Sequence, residues 1–195
     1  PYGQDEVIKA LAQANKNLIV VNISGNAVSM PWIKDVPAVL QAWYLGSEAG
    51  SAIAAILAGD VNPSGKLPFT FPAALEDVGA HKLGDYPGVL RADGSNIVDE
   101  KYNEGIFVGY RWADKQKTKP LFPFGHGLSY TTFKYGKAVA DKKVMGADET
   151  LTIIVPVTNT GSREGSEVVQ LYISDLKSSL PRPVKELKGF SKVRL

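Results

Sequence analysis

The chain has 195 residues, room for one or two domains, and its 44% hydrophobic content supplies a core and excludes a disordered tail. With 22 Lys and Arg against 20 Asp and Glu and no basic run, nucleic acid is not an expected partner. The absence of cysteine removes disulfides, thiolate metal sites and a cysteine nucleophile, and no apolar run reaches the ~18 residues of a membrane-spanning helix, so no membrane partner is expected.

From Gln4 to Ala14, apolar Val7, Ile8, Leu11 and Ala14 recur at helical spacing and predict one buried helix face. Asp5 and Glu6 fall in the first turn, where the helix dipole favours negative charge. Residues 18–23 form a near-continuous apolar run, which predicts a strand covered on both faces, as in a parallel sheet. A second short strand is predicted over residues 38–43. Ala49, Ala52, Ile53, Ile56 and Leu57 then repeat with helical period, with Ser47 as the expected N-cap and Gly59 as the expected C′ residue. Strand and helix in alternation predict an α/β layer structure with a mainly parallel sheet.

Residues 60–72 read as loop, with Asn62-Pro63-Ser64-Gly65 at the turn. Residues 73–105 lack a clear period and read as a long surface excursion. Ile106-Phe107-Val108 is expected to be a short core element, followed by a helix over residues 110–114. Residues 121–127 are rigid and aromatic and read as a packed connection between domains, extending to Tyr130. After Thr131 the chain becomes β-like, with strands predicted over residues 150–157, 168–174 and 187–195 and turns at 159–161 and 163–165. Such spacing suggests an antiparallel sandwich, which takes ~100 residues. The shorter run available here is expected to be a truncated sandwich, with Val155, Val169, Leu171 and Val193 wanting partners and an open strand edge. The chain starts at Pro1, its first methionine is Met30 and no signal peptide is recognisable, so it is expected to be an internal piece or a processed product.

The residues that could carry chemistry have bland readings beside the functional ones. Gly59 to Leu67 narrowly misses a phosphate loop, because five residues separate Gly59 from Gly65 and Leu67 follows Lys66; a proline–glycine turn explains it. Gly46-Ser47-Glu48-Ala49-Gly50 opens a helix and could face an anion, or could simply allow close helix–sheet packing. His81 and His126 lie far apart with no partner at ligand spacing, so no metal site is expected. His126 is either a hydrogen-bonded linker residue or a cleft-lining one. No G-x-S-x-G elbow occurs. Glu48 stands in a first helical turn, and Glu104 is expected to pair with a cation such as Arg111. Asn22-Ile23-Ser24 matches a glycosylation sequon but falls in a strand expected to be buried.

Taken in order, the motifs are more specific than any one of them. They run Gln4-x-Glu6-x-Ile8, Asn22 to Gly25, Met30-Pro31-Trp32, Ala42-Trp43-Tyr44, Gly46-x-Glu48-x-Gly50, Gly59-Asp60-x-Asn62-Pro63-Ser64-Gly65-Lys66-Leu67-Pro68 and Phe71-Pro72. Tyr102-x-Glu104-Gly105-Ile106-x-Val108-Gly109-Tyr110-Arg111, residues 122–131, Asn159-x-Gly161, Gln170-Leu171-Tyr172 and Arg182-Pro183-x-Lys185-Glu186-Leu187-Lys188-Gly189-Phe190 complete the set. The whole resembles, nearly end to end, the C-terminal half of a glycoside hydrolase family 3 enzyme of the bacterial β-glucosidase type.

The resemblance implies an α/β sandwich domain lacking its first part over residues 1–130, then the N-terminal part of a fibronectin type III-like domain over residues 131–195. It implies a parent enzyme that removes terminal β-linked sugars with retention, through a carboxylate nucleophile and a carboxylic acid/base, without a cofactor. The nucleophile belongs to an N-terminal barrel, and the acid/base glutamate to a loop just upstream of the segment matched by Pro1-Tyr2-Gly3-Gln4. No catalytic, cofactor-binding or metal-binding residue is therefore expected in this chain, and neither Glu48 nor Glu104 inherits a catalytic role. The expected partners are a β-glucoside or oligosaccharide substrate met by the full enzyme, the barrel, and the remaining C-terminal strands, on the same or another chain. A periplasmic or secreted enzyme is expected. The rival is a non-catalytic carbohydrate-binding or protein-interaction module, which an exposed aromatic platform would favour; burial of Trp32, Trp43 and Trp112 would favour a scaffold.

Overall fold

The structure, a computed structural model, describes residues 3–195; Pro1 and Tyr2, which begin the segment matched to the family, lie outside the described residues. Helix α1 spans Gln4–Ala14, as the period predicts. Its roll differs from the expectation. Trp32 Nε1–H donates to Asp5 Oδ1 at 2.7 Å, and the Ile8–Ala12 edge faces the core while Val7 and Leu11 are 58% and 49% exposed. An anchor from a distant loop, not the helix's own period, decides which edge is buried.

Strands β1 (Ile19–Asn22) and β2 (Ala38–Gln41) pair in parallel, with Ile19 opposite Ala38 and Asn22 opposite Gln41. The crossover, residues 23–37, contains no helix. It folds through turns closed by Ile33 N–H to Met30 O at 3.0 Å and Asp35 N–H to Trp32 O at 2.9 Å, and it drops Met30, Trp32 and Val36 into the core. The expectation that β1 is covered on both faces is corrected: Val20 packs on the core, but Ile19 and Ile23 on the opposite face are exposed. Helix α2 spans Ala49–Ala58 and Gly59 closes it at φ 84°. Its N-cap is Glu48 rather than Ser47.

The core centres on Phe71, which is 1% exposed. Phe69 stacks on it at 5.7 Å, Trp43 meets both rings edge-on, and Phe122 meets Phe71 edge-on at 6.3 Å. The 121–127 connection is packed as expected. Phe71 and Phe122 exchange backbone hydrogen bonds at 2.8 and 3.2 Å, and Leu67 N–H donates to His126 O at 2.8 Å. A Cβ on Gly127 would meet the Gly65 carbonyl oxygen at 2.1 Å, so only glycine permits this approach of two backbones. Further along, Leu128 and Tyr130 are exposed.

Residues 73–105 hold a 3-10 turn at Leu75–Asp77, the short helix α3 (Gly79–Lys82) and a two-stranded hairpin, β3 (Val89–Leu90) with β4 (Val98–Asp99). Asp85 is buried and holds this excursion to Asn103 by accepting from its backbone N–H at 3.0 Å and from Nδ2 at 2.7 Å. Ile106 and Val108 are exposed, so residues 106–108 are not the core element expected of them. Phe107 between them is half-buried and carries the Lys115 ammonium 3.8 Å above its ring. Helix α4 spans Tyr110–Gln116 and buries Trp112, whose Nε1–H donates to Asp77 O at 3.0 Å.

The remainder is antiparallel. β5 (Phe133–Tyr135) pairs with β8 (Val157–Asn159), β6 (Val139–Ala140) with β7 (Ile153–Ile154), and β9 (Ser166–Ile173) with β10 (Glu186–Arg194). Residues 150–157 are not one strand. The ladder is interrupted at Pro156, which has no N–H to donate, although its carbonyl accepts from Gly136 N–H at 2.8 Å. Beyond Thr131 no aliphatic or aromatic side chain is buried; only Gly165 and Pro183 are. The accessible surface totals 13836 Å², well above the about 9,000 Å² of a compact monomer of this size, because faces such as those of β1 and β9–β10 stand open.

Candidate functional site

In an open α/β sheet, ligands bind outside the carboxyl ends of the strands. At that end of β1 and β2 lies a polar cluster. Asn22 Nδ2–H donates to Gln41 Oε1 at 2.5 Å and to Ser24 Oγ at 3.1 Å. Gln41 Nε2–H in turn reaches Ser24 Oγ at 3.2 Å and Ser24 O at 3.3 Å. The sequon asparagine is thus spent on a side-chain network. Two residues past β2, Trp43 sits at φ 59°, a left-handed conformation that costs a bulky residue about 1–3 kcal/mol. The aromatic core surrounds Trp43, which holds this conformation in place, and the chain turns outward so that Tyr44 is 82% exposed. Glu48 follows, accepting from Ser51 Oγ–H at 2.7 Å.

The other residues considered from the sequence lie elsewhere. Glu104 Oε2 is buried without a hydrogen-bond partner. The expected Glu104–Arg111 pair does not form, because β10 brings Glu186 to Arg111, with Nη2 3.0 Å from Oε1. His81 meets Tyr86 edge-on. His126 stacks on Phe122 with ring centroids 5.1 Å apart, and burial, helped by the nearby Lys66 charge, pulls its pKa below the ordinary 6.5. A histidine held neutral this way stabilises the fold above its ordinary pKa, and the benefit is lost as pH falls through the lower folded value. Urea unfolding followed from pH 7 downward is expected to show stability falling from about pH 6.5, with a smaller fall in His126→Gln. An unchanged slope in that variant would sink the assignment.

In the loop from Gly59 to Leu67, Asn62 and Lys66 are both engaged with the later part of the chain. The loop is a bracket for the second half of the chain, a role the local sequence does not announce. Asn62 Nδ2–H donates to Glu164 O at 2.9 Å, and its Oδ1 accepts from Ser129 Oγ–H at 2.9 Å and Tyr130 N–H at 2.7 Å. Lys66 Nζ donates to Gly127 O at 2.7 Å and pairs with Glu167 Oε2 at 3.1 Å. Glu167 Oε1 also accepts from Tyr135 Oη–H at 3.0 Å; burial first, then this bond, push the Tyr135 pKa up to about 12. Across the same junction Lys185 lies 3.2 Å from Asp114 Oδ2, and Leu187 N–H donates to Tyr110 Oη at 3.0 Å. Asp114 and Lys185 border a 340 Å³ groove with Tyr110, Phe124 and Tyr172 in its walls. The carboxylates here face cations in ion pairs, which suits holding a junction rather than proton transfer. Among the described residues no group of three or more His, Asp and Glu could hold a metal ion.

Residues 1–130 match the family model of the glycosyl hydrolase family 3 C-terminal domain. The chain belongs to glycosyl hydrolase family 3. Residues 167–195 match the fibronectin type III-like domain model, so an α/β domain of family 3 is followed by fibronectin type III-like strands. The chain is 51% identical over 197 residues to Beta-glucosidase BoGH3A of Bacteroides ovatus, covering all of this chain and 25% of that protein. It is 47% identical over 195 residues to the Thermostable beta-glucosidase B of Acetivibrio thermocellus, again covering all of this chain and 25% of the relative. The crystal structure of DesR, a beta-glucosidase from Streptomyces venezuelae in complex with D-glucose, superposes with a TM-score of 0.89 at 46% identity, covering 100% of this chain and 24% of that one. This family 3 chain therefore spans about a quarter of the length of the proteins it resembles.

Proposed function

We propose that this chain is the C-terminal portion of a retaining, exo-acting β-glucosidase, and that it supplies scaffold and cleft wall but neither catalytic carboxylate. The observation that carries the reading is end-to-end likeness, at 51% and 47% identity, to a quarter of proteins named beta-glucosidases. Retention needs two carboxyl groups roughly 5 Å apart, one acting as nucleophile and one as acid/base. Glu48 and Glu104 are engaged or enclosed locally, Glu167, Glu186 and Asp114 face cations, and none is offered as either. The rival reading as a carbohydrate-binding or interaction module is disfavoured by the tryptophans. Trp32 and Trp112 are buried, and Trp43 packs against Phe69 and Phe71, so they form no platform. We assign residues 131–195 to the N-terminal part of one fibronectin type III-like domain. Support comes from Gly165 and Leu195 exchanging backbone hydrogen bonds at 2.9 Å, which tie the stretch before residue 167 to the stretch after it, and from β5 pairing with β8 within the earlier stretch.

The reading is tested by assaying aryl β-glucoside hydrolysis by the chain alone and by the chain joined to the preceding part of its parent. Without the carboxylate pair, nucleophilic catalysis and proton transfer are lost together. No turnover above background is expected from the chain alone, and turnover is expected from the joined protein. Turnover by the purified chain that Glu104→Gln abolishes would overturn the assignment.

A further inference from the structure

We propose that Tyr44 is a specificity residue of the proposed β-glucosidase, presenting its ring as a stacking wall for a ring-shaped leaving group, either a second pyranose or an aryl group. The inference rests on the proposed function above and adds the residue that would read the aglycone.

Three observations converge on Tyr44. Its ring is 82% exposed although it lies at the carboxyl end of a parallel pair, where ligands of α/β sheets bind. The preceding Trp43 is held at φ 59°, and non-glycine residues persist in such conformations where the surroundings over-determine them, often at ligand clamps. Here the strain sends Trp43 onto Phe69 and Phe71 and leaves Tyr44 outside. The third observation is Gly25. Its φ is not in the left-handed region, so no turn geometry demands glycine. A Cβ there would meet Tyr44 Cε2 at 2.6 Å, and Cζ and Oη at 3.0 Å. The glycine leaves the room the ring occupies, and the Asn22–Ser24–Gln41 network holds the strand ends beneath. The Gly25 backbone lies along one side of the exposed ring, and Trp43 behind it fixes where the chain presents it. Tyrosine suits a stacking wall, having a flat apolar body with a polar tip and only two side-chain torsions to freeze.

The test uses the full-length enzyme and compares kcat/KM for three substrates: cellobiose, an aryl β-glucoside, and β-glucosyl fluoride, whose leaving group has no ring. Tyr44→Ala is expected to lower kcat/KM about tenfold more for the two ring aglycones than for the fluoride, as loss of one aromatic contact implies. Loss confined to cellobiose or to the aryl substrate would tell which ring the wall reads. Tyr44→Phe should recover most of the loss, because the ring returns. Gly25→Ala, which pushes the ring aside, should reproduce the Tyr44→Ala pattern. An equal fall for all three substrates, with a lower thermal midpoint, would assign Tyr44 to packing against the rest of the enzyme and overturn the proposal. So would no change for any substrate. Failure of the wild-type full-length protein to hydrolyse any of the three would overturn the β-glucosidase reading itself, and the Tyr44 assignment with it.

Discussion

Replacing Phe71 by alanine is expected to lower the unfolding free energy by about 3–5 kcal/mol, the range for deleting a buried aromatic ring. Phe71 is the most enclosed large side chain of the fold. It is held between Phe69, Trp43 and Phe122, rings that come from three separate stretches of chain. Its backbone hydrogen bonds with Phe122 at 2.8 and 3.2 Å do not depend on the side chain, so the loss measures the ring. Neighbouring rings are stiff and cannot collapse into the gap as flexible side chains would. Phe71→Leu fills part of the space and should lose markedly less. Urea unfolding monitored by tryptophan fluorescence checks both. A loss below about 1.5 kcal/mol for the alanine variant, less than half the range for such a site, would mean that the aromatic cluster is not the centre of the core.

Lys66→Met is expected to cost about 2–3 kcal/mol. Breaking a fully buried ion pair by removing one partner costs about 3–5 kcal/mol. The Lys66 and Glu167 side chains keep 16% and 13% exposure, so water relieves part of the penalty. With the ammonium gone, Glu167 keeps only the Tyr135 hydroxyl as a hydrogen-bond donor, and Gly127 O loses its donor. Adding Glu167→Leu to Lys66→Met should restore part of the stability, because replacing both members of a buried pair by apolar groups is often neutral. The coupling read from the double-mutant cycle is the diagnostic quantity. Strictly additive losses would show that Lys66 acts through Gly127 alone and that the pair does not join the two halves of the chain.

Much of the local architecture was legible before any coordinates. The helical period of residues 4–14 and the apolar run of residues 18–23 each sit within a single element, and the structure places α1 and β1 there. The packed connection at residues 121–127 was legible too, because rings and restricted backbone leave few alternatives. β5 and β6 were not, since two or three residues carry too little pattern to separate from loop. The polar cluster of Asn22, Ser24 and Gln41 was hidden for another reason: its members belong to two strands, and only their parallel register sets them side by side.

By itself, then, the sequence determined the longer elements, such as α1, β1, α2, β9 and β10, their order and, through an ordered set of motifs, the family. Those properties rest on short-range spacing and on residue types in succession. Tertiary structure alone decided which edge of α1 is buried, why residues 106–108 lie outside the core, and that Arg111 answers Glu186 instead of Glu104. It also made the near-miss phosphate loop a bracket, with Asn62 and Lys66 reaching residues far along the chain. Burial and pairing depend on what other segments bring into contact. A side chain's neighbours across a junction leave no periodic trace in the stretch that carries it.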